Sequence, residues 1–366
     1  IYTLSLHDAL PIYELQQGIL GLAQGKGEQI TVVPDFYQHE IKKEKTMDIG
    51  TFKVERWMDE HETKCKYNLA ETCIDSLTVR DIIEMAGLDV AGYMAALADT
   101  RLTYGPIGGS PKLLDGIAGL YSEVIRPEHI IPMHGAVGAN HHVIMALIKP
   151  SDNMISVMPT YQQHYSIPAS IGADVRILEL DPDNHFLPEL DKLGALVDEN
   201  TKMITMNSPN NPSGSLIPKE TMEQIIGIAG SVGAYVLCDE VYRGISEDGS
   251  YMYSVADLYD KGISVGSMSK SWSMAGVRMG WIVTRDMDLL RRCHERRDYD
   301  TISCGVIDDK LAALALANQD KIIERNRAIL LKNRQILDDW VNATPEVYYE
   351  RSEEHTSELQ SHELIS

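Results

Sequence analysis

Basic residues are scarce in this 366-residue chain: 33 Lys and Arg stand against 54 Asp and Glu, a formal net charge of −21. So acidic a surface argues against nucleic acid or anionic membrane as a partner. Apolar runs long enough to span a bilayer are also lacking, and no secretory signal is expected. The five cysteines (Cys65, Cys73, Cys238, Cys293, Cys304) are odd in number and have no metal-like spacing. They read as free thiols of a reducing cytoplasm, and no metal site is expected. His141 and His142 do not change that, because adjacent residues on a helix point to different sides.

The two ends lack any hydrophobic period. Residues 2–12 (YTLSLHDALPI) and 351–361 (RSEEHTSELQS) resemble in-frame translations of sequencing-library adapters, and both are set aside. Lys43-Glu44-Lys45-Thr46 before Met47 suits a purine-rich ribosome-binding sequence and start codon, so residues 13–46 are expected to be upstream translation.

Between these ends, chemistry concentrates in Ser267-Met-Ser-Lys-Ser-Trp-Ser-Met-Ala-Gly-Val-Arg-Met-Gly280, which follows the apolar run Ile263 to Val265. A lysine among small residues at a strand end can be desolvated, which turns Lys270 into a Schiff-base nucleophile. Arg278, nearby hydroxyls and glycines that allow close backbone approach suit a phosphate. Together they describe an anchor for pyridoxal 5'-phosphate (PLP), against the plainer reading of a solvated lysine in a Ser/Gly loop.

Other strand ends carry matching groups. A strand at Ile130 to His134 runs into Gly135-Ala136-Val137 and a helix from about Ala139 to Ile148, and backbone amides at a helix start hold anions. The strand from Met154 ends in Pro159-Thr-Tyr161, where Tyr161 is either a ring-stacking partner or a core tyrosine. Lys202 to Met206 leads into Asn207-Ser-Pro-Asn-Asn-Pro-Ser-Gly214, a rigid turn that aims Asn211 at a fixed point. Ala234 to Asp239 is an apolar strand delivering one carboxylate, which, once buried, needs a cationic partner. Tyr242 follows it. Further strands are expected at Ala173 to Leu180 and Trp281 to Thr284, and helices at Val54 to Asp59, Pro111 to Val124, Leu187 to Val197 and Asp320 to Ala343. Ligands of an open α/β sheet sit at the carboxyl edge of its strands, where all these groups fall.

The stretch Ser267 to Gly280 matches, position for position, the lysine signature of class I/II PLP-dependent aminotransferases, aspartate aminotransferase-like enzymes of fold type I. The resemblance covers most of residues 48–350. It implies an α/β fold: a large domain with a mostly parallel central sheet flanked by helices, plus a partial small α+β domain. Residues 47–89 would be an N-terminal arm, 90–319 the PLP-binding large domain, and 320–350 the start of an incomplete small domain, with residues 1–46 and 351–366 outside the fold.

The resemblance also implies roles. Lys270 would hold PLP as an internal aldimine, and Gly135, Ala136, Val137, Ser267 and Arg278 would hold its phosphate. Tyr161 would stack on the ring, Asp239 would pair with its pyridinium nitrogen, and Asn211 and Tyr242 would bind its phenolic oxygen. Tyr104 would reach the phosphate of the neighbouring subunit, which implies a homodimer. The family's usual turn has Thr where this chain has Ser213. The arm from Phe52 to Glu84 is read as packing, and Arg297 to Ser303 falls where related enzymes contact substrate.

The expected activity is amino transfer from an amino acid to a 2-oxo acid in the cytoplasm. No position matches the family's carboxylate-binding arginine of the small domain, so poor turnover by this chain is expected. A PLP-dependent lyase or cyclase, of the capreomycidine synthase or C–S lyase kind, is the alternative. A non-catalytic PLP-binding sensor domain fits less well.

Overall fold

Runs rich in Ile, Val and Met form the main sheet of the computed structural model, which describes residues 48–62, 64, 72–246 and 251–344 and the backbone of 347–348 and 364–365. The strands are β1 (Ile130–His134), β2 (Asn153–Met158), β3 (Asp174–Glu179), β4 (Thr201–Asn207), β5 (Tyr235–Asp239), β6 (Gly262–Ser267) and β7 (Met279–Val283). Their order across the sheet is β1-β7-β6-β5-β4-β2-β3. All are parallel except β7, which runs antiparallel between β1 and β6. This is the mostly parallel α/β sheet expected from the sequence.

Before the sheet come α1 (Lys53–His61), α2 (Val79–Met85), α3 (Val90–Ala98) and α4 (Pro111–Ala118). Within it lie α5 (Gly135–Leu147), α6 (Gln163–Ser170), α7 (Leu190–Leu196), α8 (Lys219–Ser231) and α9 (Val255–Leu258). After β7 come α10 (Met287–Arg297), α11 (Val306–Leu316) and α12 (Gln319–Ala343). No helix among the described residues is long and apolar enough to cross a membrane.

Both faces of the sheet are covered, which is why its central strands are apolar throughout rather than alternating. On β5, Tyr235 and Leu237 pack with Ile263 and Val265 against Val143, Leu147 and Leu289 of α5 and α10. Val236 and Cys238 face the other way, onto Ile204, Met222 and Ile225. The period of two thus splits one continuous apolar run between two cores.

Two helices differ from their expected limits by more than a turn at one end. The helix expected over residues 111–124 stops at Ala118, with Gly119 at its end. The helix expected from Ala139 begins at Gly135, where a φ of 65° turns the chain out of β1 directly into the first turn. Along α12, the buried positions Ile322, Asn326, Asn333, Leu337 and Trp340 follow a helical period. The adapter-like ends, residues 13–46, the loop from Lys66 to Glu71 and Pro345 lie outside the described residues.

Candidate active site

The parallel strands deliver their last residues to one edge. Asp239 ends β5, Ser267 ends β6, and Gly135 follows β1. Tyr161 comes three residues after β2, Asn211 four after β4, and Lys270 three after β6. The sheet therefore gathers side chains that lie more than 100 residues apart in the chain.

Asp239 is only 5 % exposed. Asn140 Nδ2 of α5 donates to its Oδ2 at 2.7 Å, and the Val241 amide donates to its Oδ1 at 3.2 Å. Burial pushes its pKa up to about 6, opposed by the Asn140 and Val241 hydrogen bonds and by the charge of Lys270. The one ion-pair partner in range among the described residues is His164 Nε2, at 3.9 Å. Burial holds His164 down to about 4, so it is neutral at physiological pH and leaves the carboxylate without a charged partner in contact among the described residues. The His164 Nε2 and Asn140 Oδ1 atoms are buried without hydrogen-bond partners. A buried acceptor with no cation beside it fits a ligand that brings its own positive nitrogen, as a pyridinium does.

Asn211 and Tyr242 converge. Asn211 Nδ2 donates to Tyr242 Oη at 3.3 Å, and Tyr242 is buried. The turn that aims Asn211 is held from both sides. Asn207 accepts the Asn211 amide and donates its own Nδ2 to the Asp239 carbonyl at 2.7 Å. Ser213 Oγ donates to Asn210 Oδ1 at 2.8 Å. Only a hydroxyl is used there, so Ser does the work that Thr would do.

The Lys270 amine lies 2.6 Å from Thr72 Oγ1 and 3.4 Å from Cys73 Sγ. Tyr242 Oη donates to the same Thr72 oxygen at 3.3 Å. The arm read from sequence as packing therefore reaches the lysine. It is pinned there by the Leu77 amide on the Ser273 carbonyl at 2.9 Å and by Arg325 on Asp75 at 2.8 Å. Asn326 of α12 donates to the Ser271 carbonyl at 2.9 Å, which fixes the lysine loop itself.

Pairing of β1 with β7 brings Gly135 beside Arg278. A Cβ on Gly135 would lie 2.9 Å from Arg278 Nη2 and would displace the guanidinium, and the φ of 65° itself favours glycine there. Arg278 is exposed and donates Nη1 to the Ala275 carbonyl at 2.7 Å. The Gly135 amide is already used, donating to the Arg278 carbonyl at 2.9 Å. Its expected part as an anion donor is corrected accordingly: Gly135 supplies clearance, and the first-turn amides of Ala136 and Val137 are the donors that lack an intrahelical acceptor. Ser267 is buried, its hydroxyl accepting the Ser269 amide at 3.2 Å.

Tyr161 donates its hydroxyl to Glu55 Oε1 of α1 at 2.7 Å. Burial, and then the Glu55 carboxylate, raise its pKa far above the ordinary phenol value. Tyr104 stands apart, with its side chain 66 % exposed and its carbonyl accepting from Ser303 Oγ at 3.1 Å. Arg297 departs from the expectation of a substrate contact. It is fully buried and donates to the carbonyls of Pro132 and Ile107, both at 2.7 Å, so its guanidinium is committed to the backbone. No group of three or more His, Cys, Asp or Glu among the described residues could hold a metal.

Residues 66–356 match the family model described as Aminotransferase class I and II. A PLP-dependent aminotransferase structure from Streptococcus suis is 41% identical with a TM-score of 0.80, covering 83% of this chain and 80% of that one. Capreomycidine synthase of Streptomyces vinaceus is 26% identical over 80% of this chain and 74% of its own length. Arginine–pyruvate transaminase of Pseudomonas aeruginosa is 28% identical over 49% of this chain and 47% of its own.

Proposed function

The chain belongs to the class I and II aminotransferases, enzymes that use pyridoxal 5'-phosphate, and we propose that it moves the amino group of an amino acid to a 2-oxo acid. The observation that carries this reading is the buried Asp239 carboxylate, with no charged side chain in contact among the described residues, on the same sheet edge as Lys270. When bound, the cofactor supplies an electron sink for the bond broken at the substrate Cα. Lys270 would hold it covalently, and Nζ would serve to move the Cα proton as general base and then general acid. Thr72 Oγ1 is the hydroxyl that receives this amine. Asp239 would keep a ring nitrogen protonated, while Asn140 Nδ2 and the Val241 amide hold the carboxylate in place. Asn211 and Tyr242, whose polar ends meet at 3.3 Å, would bind the ring oxygen, and Tyr161 would supply a face to stack on. The amides of Ala136 and Val137, the Ser267 hydroxyl and the Arg278 guanidinium serve the phosphate.

The exposed Tyr104 is assigned to the neighbouring subunit's phosphate, so the working form is a homodimer, placed in the cytoplasm. Residues 90–319 form the cofactor-binding unit, and α12 opens the small domain. Losing the Arg278 guanidinium removes a charge-assisted contact, so Arg278→Ala is expected to weaken cofactor binding by about 10- to 100-fold. Equilibrium dialysis against the cofactor measures this, and unchanged binding removes Arg278 from the phosphate site.

The test of the activity is incubation of the protein and cofactor with a panel of amino acids and a 2-oxo acid. Appearance of a new amino acid from the 2-oxo acid is the expected result. The similarity to capreomycidine synthase supports a second reading, in which the same lysine and carboxylate serve elimination or ring closure. Release of ammonia or a cyclised product, with no amino group on the 2-oxo acid, would select it.

A further inference from the structure

Helix α1 places one carboxylate at the edge of the site, and none of the roles above uses its charge. Glu55 is half-buried, and its single hydrogen bond among the described residues is the one it accepts from Tyr161. Its neighbour Arg56 is taken by Asp59 at 2.6 Å, so no basic side chain of the described residues pairs with Glu55. An ionised carboxylate offers about four acceptor sites, and here one is filled.

The carboxylate is also held in place. The Phe52 ring packs 4.9 Å from the Tyr161 ring. The Lys53 amide donates to Gln162 Oε1 at 3.2 Å, and Gln162 Nε2 donates to the Thr51 carbonyl at 2.9 Å. The start of α1 is thereby docked on the turn after β2. Tyr161 lies within reach of the charges of both Glu55 and Asp239, so a single side chain links the helix to the cofactor cradle.

We propose that Glu55 selects an amino-acid substrate whose side chain ends in a cation, an ammonium or a guanidinium. This rests on the aminotransferase reading and names the substrate class of that site. Oε2 accepts the charge-assisted hydrogen bonds of the cation, and the Tyr161 hydroxyl fixes the carboxylate for it beforehand. An acidic side chain meets like charge at this position, and a neutral one leaves the carboxylate half-desolvated without return.

The test uses the 366-residue protein loaded with cofactor and two probes that have no Cα proton to lose, α-methyl-lysine and α-methylnorleucine. Calorimetric titration is expected to show α-methyl-lysine binding about 10- to 100-fold more tightly. Glu55→Gln keeps an oxygen for the Tyr161 hydroxyl and is expected to bring the two probes within about threefold. Equal binding of both probes to the unsubstituted protein overturns the inference. So does an equal loss for both in Glu55→Gln, which would make Glu55 a prop for Tyr161 alone. If neither probe binds, the inference falls, and the amino-transfer panel then decides whether the aminotransferase reading falls with it. Transfer from neutral amino acids with no preference for cationic ones overturns only the selection by Glu55.

Discussion

Replacing Lys270 by alanine is expected to abolish covalent retention of the cofactor and to slow amino transfer by at least about 10⁴-fold. The size of the effect follows from two losses at one atom. In the proposed reading Nζ is both the nucleophile that anchors the cofactor and the base that carries the Cα proton. Among the described residues the neighbours of that amine are the Thr72 hydroxyl and the Cys73 thiol. The hydroxyl is not basic enough to replace an amine. Cys73 is the sharper concern, because a thiolate can act as a base. The double variant Lys270→Ala with Cys73→Ser would show whether any residual rate belongs to it. Borohydride reduction followed by peptide mass analysis should place the cofactor on the Lys270 peptide of the unsubstituted protein and nowhere in the variant. Cofactor trapped at another lysine would mean that the anchor has been misassigned.

The groups gathered at the carboxyl edge of the sheet were legible from sequence because each lies at a strand end with a recognisable local chemistry. Asp239 closes an apolar run, Asn211 sits in an Asn/Pro turn, and Lys270 is set among serines and glycines. The groups that surround those residues were not legible. Asn140 and His164 are buried polar residues inside helices, and neither breaks or makes a period that marks it. Thr72 reaches Lys270 across 198 positions of chain, and no local pattern encodes a contact of that span. Arg297 shows the same limit in reverse. As an arginine near the site it invites a substrate role, but full burial has committed its guanidinium to two backbone carbonyls.

Helix starts failed for a related reason. Gly135-Ala-Val-Gly carries too little apolar pattern to show where α5 begins, and the positive φ that launches the helix is a property of the junction with β1. The mostly parallel sheet was legible from its doubly buried strands. The reversed direction of β7 was not, since its composition matches that of its neighbours. Its direction matters, because antiparallel pairing with β1 is what lays Arg278 over Gly135.

Asp239→Asn is expected to have opposite effects on stability and on catalysis. In the cofactor-free protein, burial pushes the Asp239 pKa up to about 6, while in the unfolded chain an aspartate titrates near 4. Between those values the folded protein keeps a proton that the unfolded chain has released. Stability therefore falls as pH rises through this window and stays lower above it, by a total on the order of 3 kcal/mol. An amide has no charge to bury, so the variant should lack this fall. Its hydrogen bonds can be kept: Asn140 now donates to Oδ2 and has an unpartnered Oδ1, and swapping the ends of that amide lets it accept instead. At pH 7.5 the cofactor-free variant should melt about 5 °C above the unsubstituted protein, with little difference at pH 4. Amino transfer should fall by about 10²- to 10³-fold, because a neutral amide no longer holds a protonated ring nitrogen. Melting midpoints at the two pH values and a transfer rate at the higher one measure both effects. If the melting curves of variant and unsubstituted protein shift in parallel with pH, the buried carboxylate is not the source of the pH dependence. If the transfer rate holds while the melting difference appears, Asp239 is buried at a cost to stability but does not serve the cofactor.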